Sequence, residues 1–310
     1  MAVKSKYRLP NPITGEMETY HHETELAQVY DMTDFARTIC SGGYDAATLR
    51  SIIGAEAVIS NTAAAHNSIY RGKDLTEYYN SGQMSADIRA GNFANIYIGD
   101  FIINSVTVNG TVYNNVKWLI AAIDPHLHCG DTETTLHHVL LIPASTLQRN
   151  VNMNDTNTTE GGYIGSKMWK THIPLWVTGI QAAFGSDHVL SHRELLSNAI
   201  NTTVQGTAGG FTGKSSNWAW TTVLVNIPNE AMIYGGSVFG SSFDVGDFPR
   251  QLPLYALKCG HLDDRSWFWL RSVASSSRFA IATSGGGYAT YSDASRSYSY
   301  GGVRPYFLYR

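Results

Sequence analysis

The densest chemistry in this chain lies between Asp124 and His138, in the stretch DPHLHCGDTETTLHH. Asp124, His126, His128, Cys129, Asp131, His137 and His138 are all potential ligands for zinc or iron, because such ions take carboxylate, imidazole and thiolate donors. Their spacing matches no structural zinc pattern. His137 and His138 are adjacent, so in a strand they face opposite ways, and one of them reads as a core histidine hydrogen-bonded to the backbone. Two readings stand: a metal site with His126, His128 and His137 as candidate ligands, or a structural role, which the spacing favours. A hydrolytic centre would also need an open coordination position and a base, and no base is identifiable. No GxSxG elbow, P-loop or HExxH occurs, and no nucleophile–base pair follows from spacing. Catalysis is not expected and no cofactor is implied.

Composition narrows the class. The 310 residues suffice for a sizeable core and two or three domains. Charged residues make up 15%, against a usual quarter, while Gly, Ser, Thr, Asn and Tyr are abundant, as in extracellular or virion β-rich proteins. A net charge of −3 gives no electrostatic case for nucleic acid. No apolar run reaches membrane-spanning length, and MAVKSKYRLPNP lacks the apolar centre of a signal peptide. The expectation is a soluble chain made in the cytoplasm. Cys40, Cys129 and Cys259 are odd in number with no CxxC spacing, and read as buried thiols.

The elements that must position these residues come next. Residues 1–22 read as an extended arm or a short hairpin turning at Thr14-Gly15, followed by helices from Glu25 and from Asp45 to about Ile59. GNFANIYIGDFI reads as a strand broken at Gly99. Val106 and Val108 alternate with polar residues up to Asn109-Gly110, which predicts a hairpin with a type I′ turn. VKWLIAAI, Val116 to Ile123, reads as a buried strand. Trp176, Val177, Ile180 and Phe184 fall on one helical face that Gly185 stops. Ser191-His192-Arg193-Glu194 has the form of a capping box, predicting a second helix through Leu195, Leu196 and Ile200. WAWTTVLVNI reads as a strand ended by Pro228-Asn229, and the segment from Asn229 to Leu257 as a surface loop.

The C-terminus has two stiff ends and an unusual middle. WFWL, Trp267 to Leu270, suits a fully buried strand, and VRPYFL suits another, which Pro305 confines to an edge or bulge. Between them, Ser272 to Gly302 holds no Lys, Glu, Gln, Met or Trp and is made mostly of Ser, Gly, Ala, Tyr and Thr. Tyrosine as a rigid anchor with Ser and Gly around it is the composition of a binding surface. Ser275, Ser277, Arg278, Tyr288, Tyr291, Asp293, Arg296, Tyr298 and Tyr300 are the ligand-binding candidates, about half of them exposed if the stretch forms strands. Arg271 and Arg304 are expected buried or half-buried and paired, holding the two framework strands and adjoining loops.

WLR, a small-residue run, then GVRP resembles the end of a domain recurring in phage tail proteins and in the variable proteins of diversity-generating retroelements. That resemblance implies a C-type-lectin fold whose C-terminal surface is rewritten by mutagenesis toward Tyr, Ser, Asp, Gly, Thr and Ala. Two enzyme-like and calcium-dependent variants of this fold find no support. Cys259 stands alone where formylglycine-generating enzymes need two cysteines, and Ile227-Pro228-Asn229 lacks the first ligand of lectin calcium motifs.

The expectation is thus an α+β chain. Residues 1–62 are an N-terminal arm and helices for attachment, 63–130 a small β-rich domain, and 131–310 a C-type-lectin-like domain displaying 272–302. The resemblance implies a receptor-binding protein of a bacteriophage tail, located in the virion. Its partners would be a host-cell surface protein or glycan and other tail proteins, and its state a homotrimer. A structural tail, collar or decoration protein is the alternative.

Overall fold

The computed structural model of the chain describes residues 6–10, 17–21, 61–205, 210–245, 250–258, 266–283, 287–297 and 301–310. The chain divides into two units, 1–60 and 61–310. In the first, β1 (Lys6–Pro10) pairs antiparallel with β2 (Met17–His21), with Pro10 opposite Met17, so the arm is a hairpin. Its expected turn at Thr14-Gly15 lies outside the described residues. So do the helices expected from Glu25 and Asp45, and Cys40 and Cys259.

The second unit has a mixed α+β fold. Asn109 and Gly110 take φ of 48° and 76°, the two positive values that a type I′ turn requires. They join β3 (Phe101–Val108) to β4 (Thr111–Ile123), whose second half is buried throughout. These strands open a sheet of order β3-β4-β5-β14-β6, where β5 is Val139–Pro143, β6 Val189–Leu190 and β14 Tyr306–Tyr309. β9 (Val225–Asn226) also pairs with β14. Residues of the expected regions 63–130 and 131–310 therefore share one sheet. Between residues 63 and 100, read as strand and loop, the chain forms short helices Ala63–His66, Thr76–Asn80 and Gln83–Arg89.

Helix Ile173–Phe184 forms as expected and ends at Gly185, with Trp176, Ile180 and Phe184 buried. Gly179 brings it close to the sheet, since a Cβ there would lie 2.5 Å from the Thr107 carbonyl. Phe184 meets Phe307 at 4.8 Å and Trp118 at 5.4 Å between ring centroids, in tilted and edge-to-face arrangements. No helix among the described residues is long and apolar enough to cross a membrane.

The capping-box reading of residues 191–194 is overturned. His192 to Gln205 is a strand, β7, paired antiparallel with β8 (Thr212–Val223). His192, Glu194 and Leu196 are buried while Arg193 and Leu195 are less so, a period of two. Glu194 has a buried arginine as partner, and that pairing outweighs the local helix signal. The segment from Asn229 to Leu257 also differs from a surface loop. Helices Glu230–Tyr234 and Pro253–Leu257 bury Met232, Ile233, Leu254 and Tyr255. Asn229 ends the preceding strand by capping the first of them, its side chain accepting from the Met232 N–H.

The C-terminal sheet has the order β12-β11-β10-β13. β10 (Trp267–Ser275) is buried along its whole length, as WFWL predicts. It pairs antiparallel with β11 (Arg278–Ala282) and parallel with β13 (Gly301–Gly302). Sealing Phe268, Trp269 and Leu270 from water contributes on the order of 1.5–3 kcal/mol each. β12 (Ala289–Asp293) pairs with β11 and ends the sheet. VRPYFL is a strand only from Tyr306, and it sits between β5 and β6, not at an edge. Pro305 falls just before the ladder, where its missing N–H leaves no gap.

A close approach at Gly302 offers a test. A Cβ there would lie 2.2 Å from the Leu147 carbonyl oxygen, a backbone atom, whereas one at Gly110 meets nothing within 4 Å. Gly302→Ala is expected to cost about 1–3 kcal/mol or more by overpacking, and Gly110→Ala about 1 kcal/mol through its positive φ alone. Urea denaturation compares the two. A Gly302→Ala protein as stable as Gly110→Ala would contradict the packing described.

Candidate functional site

Two places gather the residues singled out from the sequence. The first lies on β11, β12 and the turn that follows. Arg278 and Asp293 stand opposite each other in the ladder, and Arg278 Nε donates to Asp293 Oδ1 at 2.7 Å. The Arg278 guanidinium lies 3.6 Å from the ring centre of Phe211 and 5.1 Å from that of Tyr291. Tyr291 receives the edge of Phe239 at 5.0 Å. Arg296 is exposed, and its backbone N–H bonds the Asp293 carbonyl, closing the turn. Arg278, Tyr291, Ser292, Asp293 and Arg296 line a cleft of about 170 Å³.

Tyr288, before β12, is 63% exposed. Ser277 is half-buried in the turn before β11, and Ser275 is buried inside β10, its carbonyl accepting from Thr159 Oγ1. Ser275 is thus framework, since β10 is buried at every position. Tyr298 and Tyr300 lie outside the described residues. The segment from Gly235 to Asp244 reaches the cleft through Phe239, which packs on Tyr291. Glu230 holds it by accepting from the Val238, Phe239 and Gly240 N–H groups. Burial raises the Glu230 carboxyl, with those three N–H groups opposing the shift.

The second place is the buried core around Glu194. His126, His192 and Glu194 have donor atoms within 4.8 Å of one another, close enough to share one ion. Of the three candidate ligands of the less favoured metal reading, only His126 belongs here. His128 is exposed beside Glu133, and His137 bonds Asp124 at 2.7 Å. Asp131 is paired with Arg193, and Cys129 directs its thiol at the Pro125 and Leu127 carbonyls. His138 is the core histidine foreseen: it is buried, with Nδ1 on the Leu136 carbonyl and Nε2 accepting from the His126 N–H. Burial pushes its pKa down to about 3, with the nearby histidines adding to the shift, so it is neutral.

Glu194 is surrounded by donors. Tyr306 Oη donates to Oε1 at 2.5 Å, and His192 Nε2 lies 2.7 Å from the same oxygen. Arg271 Nη1 and Asn226 Nδ2 donate to Oε2, the latter at 2.9 Å. Tyr163 in turn donates to Asn226 Oδ1 at 2.7 Å. Burial acts to raise the Glu194 pKa, but Arg271, His192 and His126 outweigh it and hold the carboxyl well below its usual range. A carboxylate has about four lone-pair sites, and four partners occupy them. A divalent ion would have to displace His192 from Oε1 and sit beside the Arg271 cation. The donor types and spacing suit a metal; the charge already present suits a structural ion pair. Arg304, also fully buried, stacks on Phe268 at 4.6 Å, so both framework arginines lie where expected.

Sequence reasoning missed Glu194 and His192 because residues 191–194 imitate a helix start. The inward alternation of His192, Glu194 and Leu196 was the available signal. Compared with protein-family models, curated proteins and solved structures, the chain matches none.

If Glu194 neutralises Arg271, Glu194→Gln leaves a buried cation and is expected to cost about 3–5 kcal/mol. A chelator should leave the melting temperature of the wild type unchanged; a fall on chelation would establish a bound ion instead. Acid provides a separate check. The folded pKa of Glu194 is depressed, so its stabilisation is present above the unfolded value near 4.5 and is lost as pH falls through the lower folded value. The stability gap between wild type and Glu194→Gln should therefore narrow below pH 4.5. A gap independent of pH would remove the ion pair as its source.

Proposed function

We propose that the protein is a non-catalytic binding protein that recognises its ligand with the face built by β11, β12 and the turn after them. Following the resemblance carried by WLR and GVRP, that face is the receptor-binding surface of a phage tail protein with a C-type-lectin-like C-terminal domain. One observation carries the reading. Arg278, Tyr291, Asp293 and Arg296 converge on a single cleft over the paired strands β11 and β12, whose sheet continues into the fully buried β10. A rigid floor with charged and aromatic side chains above it is how a surface gains specificity without large ordering costs. The rival reading, a structural virion part, makes the same face a contact between subunits.

The test uses the labelled full chain against a panel of bacterial isolates, with light scattering for oligomeric state. Binding is expected to a subset of strains and to fall about tenfold or more in Tyr291→Ala and Tyr288→Ala. Tyr288→Ala should leave melting temperature and oligomeric state unchanged, because that ring is largely solvated. Binding indifferent to both changes would count against the reading. A change of oligomeric state in Tyr288→Ala would favour the assembly role.

A further inference from the structure

We infer that the cleft over β11, β12 and the turn after them takes a sugar unit bearing one carboxylate, an acidic saccharide; this rests on the binding function proposed above. Size comes first. The cleft has a volume of about 170 Å³, which suits one ring or one acidic group.

The side chains set the charge. Two guanidinium groups, of Arg278 and Arg296, face one carboxylate, of Asp293, giving the lining a formal surplus of one positive charge. Arg278 is the fixed member. Asp293 holds its Nε, Phe211 lies under its plane, Tyr291 flanks it, and its side chain is 21% exposed. A guanidinium already held on three sides loses little freedom on binding, and its planar fork matches a carboxylate. Arg296, on the exposed turn, brings the second fork.

Asp293 then decides between anions. Its carboxylate repels a doubly charged group such as phosphate and accepts hydrogen bonds from hydroxyls. Tyr291 lines the cleft with an aromatic ring, the kind of group whose face packs on the C–H face of a sugar. One negative charge, several hydroxyls and an apolar face together describe an acidic sugar.

D-glucuronate, D-glucose and inorganic phosphate, each titrated into the full chain and followed by NMR, test this. Glucuronate should bind in the millimolar range and glucose about tenfold or more weaker, a difference of about 1.4 kcal/mol. Arg278→Lys and Arg296→Gln should each weaken glucuronate about tenfold. Arg296 is exposed, so its variant keeps the test valid if Arg278→Lys unfolds. Equal binding of glucose, tighter binding of phosphate, indifference to both substitutions, or no binding of glucuronate by the folded wild type would each overturn the inference. The titrations need no cells. Strain binding that depends on Tyr291 yet is not competed by glucuronate would leave the binding function standing and remove the acidic sugar.

Discussion

The buried contact between Glu194 and Arg271 is the constraint on which the second unit depends. Glu194 comes from β7, Asn226 from β9, Arg271 from β10 and Tyr306 from β14. Those strands belong to three sheets, so one carboxylate ties the long hairpin, the six-stranded sheet and the C-terminal sheet together. Its value lies less in net energy than in what breaking it leaves behind: burying two charges offsets most of their attraction, while a lone buried charge is expensive. Sheets that slid relative to one another would strand Arg271 beside apolar neighbours. The arrangement is therefore specified by polar satisfaction as much as by packing.

The cleft sits at the other extreme. Its side chains project from β11, from the outermost strand β12 and from the turn beyond it, while the backbone beneath them is fixed by the ladder from Arg278–Asp293 to Ala282–Ala289. Tyr288 and Arg296 can change without entering the core, because both are exposed. Ser275 and Ser292 cannot, because both face inward. The Tyr/Ser/Gly stretch thus divides into buried positions that carry the frame and positions that line the cleft or face solvent. Asp293 has a part in both, since it fixes Arg278 and lines the cleft.

Features set by a few neighbouring residues were legible in the sequence. Asn109-Gly110 specified its turn, WFWL its sealed strand, and Trp176 to Gly185 a helix and its stop. That one of His137 and His138 is a core histidine was legible from their adjacency; which one was not. Features set by distant partners were not. Residues 191–194 satisfy a local helix rule, but the ladder with β8 and the distant partners of Glu194, among them Arg271, 77 positions away, go with a strand. Pro305 pointed to an edge, yet the strand begins one residue later and lies inside its sheet. The cleft was legible as a set of residues but not as a geometry, because Phe211 and Phe239, which brace Arg278 and Tyr291, come from other segments.

The inner position of β14 has a consequence for how the fold forms. Phe307 pairs with Leu141 and Leu308 with Leu190, separations of 307 − 141 = 166 and 308 − 190 = 118 residues. The six-stranded sheet cannot close until a strand near the C-terminal end slots between two that were made long before it. Pairing across such distances must meet its loop-closure entropy before any contact rewards it, which places folding in the slow, millisecond-to-second range of β-rich proteins. Until then the inner edges of β5 and β6 stand open, and the chain is most exposed to pairing with its neighbours.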